Sequence, residues 1–156
     1  MKRILYIFFQ LTWGFIQSLA GFVIFLLNLR REHFSYHGAL VTKWSLSSSV
    51  SLGLFVFVAE NYPAYYKNGK VKYTKEEMQK KLLVHEYGHT IQSLIFGPFY
   101  LLFMGLPSCL WAGFPPVVSR RRKKRIPYGN FFTERLADHL GKAVTGEDSL
   151  QGIFLG

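Results

Sequence analysis

Five consecutive residues, His85-Glu86-Tyr87-Gly88-His89, carry the densest chemistry in the chain. On a helix, residues i and i+4 share a face, with Cβ atoms roughly 6 Å apart. Two imidazoles placed this way can both reach one Zn²⁺ at about 2.0–2.1 Å. Glu86 follows the first histidine. It can approach a metal-bound water without ligating the metal, and so act as general base. Two histidines leave the site incomplete, because a catalytic zinc usually has three protein ligands and one open position. The candidates for the third are Glu134, Asp138, His139, His33, His37 and Cys109. Glu134 and Asp138 stand one helical turn apart. One carboxylate can ligate while the other accepts a hydrogen bond from a ligating histidine, which fixes its tautomer. The chain has only nine acids, so this spacing reads as functional rather than as a solvated face. His33 and His37 read as loop or strand residues, and Cys109 as a small buried hydrophobe.

These side chains need helices to hold them. Thr74-Lys75-Glu76-Glu77 is a capping box, with Thr74 as N-cap and Glu77 at the third helical position. It predicts a helix from there to residue 96, stopped by Gly97-Pro98. Gly88 inside that helix costs ~1 kcal/mol relative to alanine, which points to a packing or access reason. A last helix is predicted over 131–142, capped by Asn130 or Thr133. Upstream, 36–44 and 47–60 read as strands. In the second, Val50, Leu52, Leu54, Val56 and Val58 recur with period two. Asn61, Pro63, Asn68 and Gly69 mark loop and turn, and 71–73 reads as a short third strand.

The remaining signal is apolar blocks. Residues 4–29 contain no charge and are long enough for a spanning helix, which needs about 20 residues. Lys2 and Arg3 precede them, and Arg30 and Arg31 follow. A cleaved signal peptide with a small-residue site at Ser18-Leu19-Ala20 competes with this reading. However, the apolar run continues past that site. The second block, 99–118, is broken by Gly105, Pro107, Gly113, Pro115 and Pro116. If it crossed a bilayer once, His85 and Glu134 would lie on opposite sides. A segment that dips in and returns, or packs over the domain, is therefore expected. Arg120 to Arg125 are six consecutive cations in a chain of 156 residues with net charge +10. They follow an apolar block, as a membrane stop signal does, so nucleic acid is not the expected partner. Of 19 cations, 17 follow the first block, which places the rest of the chain on the cytoplasmic face. The single cysteine excludes a disulfide framework, and the 49% apolar content excludes disorder.

His85-Glu86-x-x-His89 together with Glu134-x-x-x-Asp138 resembles the gluzincin metallopeptidases. The chain looks most like their minimal membrane-associated kind, similar to the CAAX-processing and HtpX-like proteases and the minigluzincins. The resemblance covers about residues 47–142. It implies His85, His89 and Glu134 as zinc ligands, Glu86 as general base and acid, and Asp138 as partner of His85. It also implies an edge strand beside the site, matched by 47–60, that pairs with a peptide substrate. The oxyanion stabiliser has no clear counterpart, and Tyr128 and His139 are the candidates. The expected fold is α+β. Residues 1–31 form a transmembrane helix, and 32–156 a minimal zincin-like domain with a small antiparallel sheet, an active-site helix and a glutamate helix. The expected function is a membrane-associated zinc endopeptidase acting on peptide or protein substrates, lodged in a lipid bilayer. The alternative is a non-catalytic module in which zinc clamps two helices together. A site-2-type intramembrane protease would need a ligating Asp in a second apolar segment, and Asp138 and Asp148 lie in none.

Overall fold

A computed structural model describes residues 3–151 and 153 and has an α+β architecture. Lys2, counted above among the flanking cations, lies outside the described residues. The apolar run 4–29 forms two helices, α1 (Arg3–Thr12) and α2 (Phe15–Leu27), bent by 96° at the break between them. This corrects the single transmembrane helix expected there. Among the described residues no single helix is long and apolar enough to cross a membrane.

The polar residues scattered through that run explain the bend. Gln10 donates to the Thr90 carbonyl at 2.8 Å and accepts from the Ser93 hydroxyl at 3.0 Å. Gln17 donates to Ser93 Oγ and to the Gly97 carbonyl. Ser18 donates to the Gln10 carbonyl and accepts from the Leu54 N–H. All three side chains are buried. Buried polar groups need partners; Gln10 and the Gln17 amide nitrogen find theirs on the chain around Thr90, Ser93 and Gly97, and Ser18 finds its own on α1 and at Leu54, while Gln17 Oε1 has none among the described residues.

The strands also divide. Residues 36–44 become the end of β1 (His33–Tyr36) and β2 (Ala39–Trp44), turning at His37-Gly38, where φ is 47° and 101°. Residues 47–60 become β3 (Val50–Leu52) and β4 (Phe55–Ala59), turning at Gly53 with φ 60°. The sheet order is β1-β2-β4-β3. Two pairs are antiparallel, but β2 and β4 run parallel. The sheet is thus mixed, not the antiparallel sheet expected. Every residue of β4 is buried. Val56 and Val58 pack with Tyr87 and Ile91, whereas Phe55 and Phe57 pack with α2 residues Ile24 and Phe25. A central strand covered on both faces buries both sets of its alternating side chains.

A second hairpin, β5 (Tyr65–Lys67) and β6 (Lys70–Tyr73), turns at Asn68-Gly69. Both turn residues have positive φ, as a type I′ turn requires. Helix α3 (Lys75–Phe96) starts at the expected capping box, with both of its hydrogen bonds formed. Past Phe96 a 3-10 turn (Gly97–Phe99) leads into a π-helical turn (Leu101–Gly105) and α4 (Leu106–Gly113), a bend of 119°. Then follow α5 (Pro115–Lys123), a 3-10 turn (Tyr128–Asn130) and α6 (Phe132–Thr145). Phe131 occupies the cap position of α6, without a side-chain bond. Neither Asn130 nor Thr133 caps it; Thr133 is buried and shares a hydrogen bond with Ser108.

Helices α3 and α6 pack backbone against backbone. A Cβ on Gly88 would sit 2.6 Å from the Ala137 carbonyl carbon, and one on Gly141 would overlap the Val84 carbonyl oxygen. Each helix therefore presents a bare glycine to the other's backbone. This is the packing reason for Gly88.

Candidate metal centre

Close approach of α3 and α6 brings three ligand atoms together. His85 Nε2 lies 3.2 Å from Glu134 Oε2, and His89 Nε2 lies 3.6 Å from the same oxygen. One donor atom from each of the three residues falls within 4.8 Å of the others, and all three residues are buried. Atoms about 2.0–2.1 Å from a tetrahedral ion are ~3.3 Å apart. The two distances to Glu134 are close to that edge length, so the group could hold a metal ion.

The outer bonds aim each donor inward. His85 Nδ1–H donates to Asp138 Oδ1 at 2.9 Å. His89 Nδ1–H donates to Gln92 Oε1 at 2.8 Å, and the Gln92 amide nitrogen donates to the Thr133 carbonyl. That second bond fixes which end of Gln92 faces His89. Each ring thus keeps a proton on Nδ1 and points Nε2 at the centre, where it can ligate once deprotonated. Glu134 Oε1 lies 2.8 Å from the Ser108 hydroxyl and 3.2 Å from that of Thr133; those two hydroxyls are 2.7 Å apart, so one of their protons goes to the carboxylate and the other joins them to each other. Its other oxygen is left for the centre.

The charges are strongly coupled. Burial alone would raise the pKa of Glu134, but its contacts with His85 and His89 hold it well below the carboxylate range. Burial likewise opposes protonation of His85. The Asp138 and Glu134 carboxylates outweigh it and hold the imidazole well above its ordinary value. His89 is raised by Glu134 against the same burial. These shifts express an excess of negative field at the centre, which a cation satisfies as well as a proton does.

Glu86 is buried on α3 beside His85. Ser51 of the edge strand β3 lies 2.7 Å from its Oε2 and 2.8 Å from its carbonyl oxygen. The single Ser51 proton serves one of these at a time. A cavity of about 560 Å³ opens over this group. Its wall includes β3, the loop before it, α4 and Tyr128, and His85, Glu86, His89 and Glu134 line it. The edge strand expected near the site is therefore the short β3, not the whole of 47–60.

Of the two oxyanion candidates, Tyr128 lines the cavity. Burial, with Glu134 and Glu86 nearby, pushes its phenol well above its ordinary pKa, so it keeps its proton and can donate. His139 is exposed and does not line the cavity. The structure removes it from the site. Cys109 lines the cavity and is exposed, which corrects its reading as buried. His33 bonds Thr42, and His37 sits in the β1–β2 turn, so neither joins the group. Sequence reasoning missed Gln92, Ser108, Ser51 and Arg121. Only Gln92 had a usable signal, standing one turn after His89 on the same helix.

Compared with known proteins, the chain matches no family model, no curated protein and no solved structure.

Proposed function

We propose that this chain is a membrane-associated, zinc-dependent endopeptidase of gluzincin type. The observation that carries the reading is the convergence of His85, His89 and Glu134 with Glu86 adjacent and Asp138 bonded to His85. A zinc ion held there would polarise a scissile carbonyl and acidify a water. Glu86 takes the proton of the attacking water on its carboxylate and delivers it to the leaving amine. Ser51 holds that carboxylate in place. The Tyr128 hydroxyl donates to the oxygen on which charge develops. Asp138 and Gln92 keep the two imidazoles in the ligating tautomer. A peptide lying along the exposed edge of β3 would pass over Glu86.

The membrane part of the reading rests on exposed apolar surface. Ile4, Phe8, Leu27, Phe99, Leu102 and Phe103 are all more than half exposed, and many neighbours on α1, α2 and α4 accompany them. Patches of that extent mark contact surfaces. The two bent pairs meet at their breaks, where Gln17 bonds the Gly97 carbonyl and Gly97 lies against the Trp13 indole. With both breaks packed against each other, the chain dips into the bilayer from one side. Because His85 and Glu134 converge, residues 99–118 leave and return on that side. With the cation excess after the first block, the catalytic domain faces the cytoplasm.

The test is Glu86→Gln beside the wild type, in detergent, against a peptide library. The variant should retain one zinc per chain and lose hydrolysis by about 10²–10⁴-fold. Equal cleavage by both defeats the mechanism. Zinc in both with cleavage in neither leaves the non-catalytic clamp.

A further inference from the structure

Five of the six cations from Arg120 to Arg125 are exposed. Arg121 is the exception, with 8% exposure. Its guanidinium carbon lies 5.7 Å from the Trp111 ring centroid and 5.3 Å from that of Tyr128. The flanking rings are themselves fixed. The Trp111 indole N–H donates to the Tyr128 carbonyl at 2.9 Å, and its ring stacks on Phe131 at 4.8 Å. Arg121 also lines the cavity that contains His85, Glu86, His89 and Glu134.

Among the described residues no carboxylate forms an ion pair with Arg121. The two acids of the cavity are committed elsewhere, Glu86 to Ser51 and Glu134 to Ser108 and the histidines. Its Nε is buried and has no hydrogen-bond partner among the described residues. A desolvated guanidinium is costly unless an anion joins it. Its planar fork fits a carboxylate through two parallel N–H bonds. Two aromatic rings hold that fork in place before any ligand arrives, so little ordering remains to be done on binding.

We propose that Arg121 is the receptor for a carboxylate of the substrate peptide, which makes the cavity selective for acidic ligands. The peptide nature of the ligand rests on the function proposed above, whereas the carboxylate follows from Arg121 itself. The carboxylate has two sources, the C-terminus of a peptide or an Asp or Glu side chain. The first makes the protein trim chain ends, and the second makes it cut beside acidic residues.

Binding, not turnover, tests this. Four synthetic hexapeptides are titrated into full-length Glu86→Gln protein in detergent, with and without zinc, following tryptophan fluorescence and heat. One peptide carries an internal Glu and a free C-terminus. The second is its C-terminal amide, the third has Gln in place of Glu, and the fourth has both changes. Removing the recognised carboxylate should weaken binding about tenfold to a hundredfold, and the peptide that shows the loss names the source. Adding Arg121→Gln should make all four bind alike, while Arg121→Lys keeps a reduced preference because its charge lacks the fork. The proposal is overturned by equal binding of all four to the Arg121 protein. It is also overturned by a preference that survives Arg121→Gln, or by a variant that weakens acidic and neutral peptides equally. If Arg121→Gln does not fold, as read by circular dichroism, the peptide series on the parent and on Arg121→Lys decides. Zinc binding without a carboxylate preference defeats only the role of Arg121. Absence of zinc defeats the peptidase reading, and the zinc-free titrations still decide the carboxylate.

Discussion

Replacing Gly88 with alanine separates two opposing effects at one atom. By intrinsic propensity, alanine inside α3 should stabilise the helix by ~1 kcal/mol. The structure gives the opposite sign. The added Cβ would lie 2.6 Å from the Ala137 carbonyl carbon and 3.0 Å from its Cα. The Ala137 carbonyl oxygen is closer still, so restoring ordinary contact of about 3.5 Å requires α6 to retreat by more than about 1 Å. The obstacle is backbone, so no side chain can rotate away. Overpacking of this kind costs about 1–3 kcal/mol, which offsets or exceeds the propensity gain. The larger effect falls on the metal. Glu134 and Asp138 flank Ala137 on α6, and a metal site tolerates only about 0.2 Å of error in its ligand distances. Gly88→Ala should therefore weaken zinc binding by at least about tenfold, with net stability unchanged or lower. Gly113→Ala is the control, because a Cβ there meets nothing within 4 Å. The assay is zinc competition against a chromophoric chelator, paired with thermal melting of both variants. Wild-type zinc affinity in Gly88→Ala, with a raised melting temperature, would refute the claim that α3–α6 contact sets the ligand geometry.

Two further outcomes follow from the same centre. Asp138→Asn removes the acceptor that orients His85; zinc affinity should fall about 10–100-fold, read in the same chelator assay, and an unchanged affinity would show that Asp138 only packs. In the metal-free chain His85 has a pKa well above its ordinary 6.5. Its contribution to stability is therefore full below that value and is lost as pH rises through the raised one. Zinc needs the deprotonated ring, so the melting-temperature gain on adding zinc should grow from pH 6 to pH 8. A gain that shrinks over that range would contradict the assignment.

The chemistry was legible because helix spacing is a strong constraint. Thr74 and Glu77 set the start of α3, Gly97-Pro98 set its stop, and i, i+4 spacing aligned His85 with His89 and Glu134 with Asp138. What was hidden depended on tertiary neighbours. Alternation from Val50 to Val58 continues through Gly53, so the pattern conceals a turn and a parallel partner for β4. The apolar content of 4–29 masked Gln10, Gln17 and Ser18, whose hydrogen bonds fold that run onto α3 and onto Leu54 beside β4. Five apolar residues, Leu101–Gly105, carry no mark that separates a π-turn from an α-turn. Arg121 looks like its five neighbours in sequence. Only its place between Trp111 and Tyr128 distinguishes it, and that depends on how α4 and α5 are folded over the cavity.

The central claim is a three-ligand zinc centre built from α3 and α6. Elemental analysis of detergent-purified protein, with Glu134→Ala beside the wild type, tests it most directly. The account predicts one zinc per wild-type chain and much less in the variant. No zinc in either after supplementation would contradict it, and equal zinc in both would remove Glu134 from the ligand set.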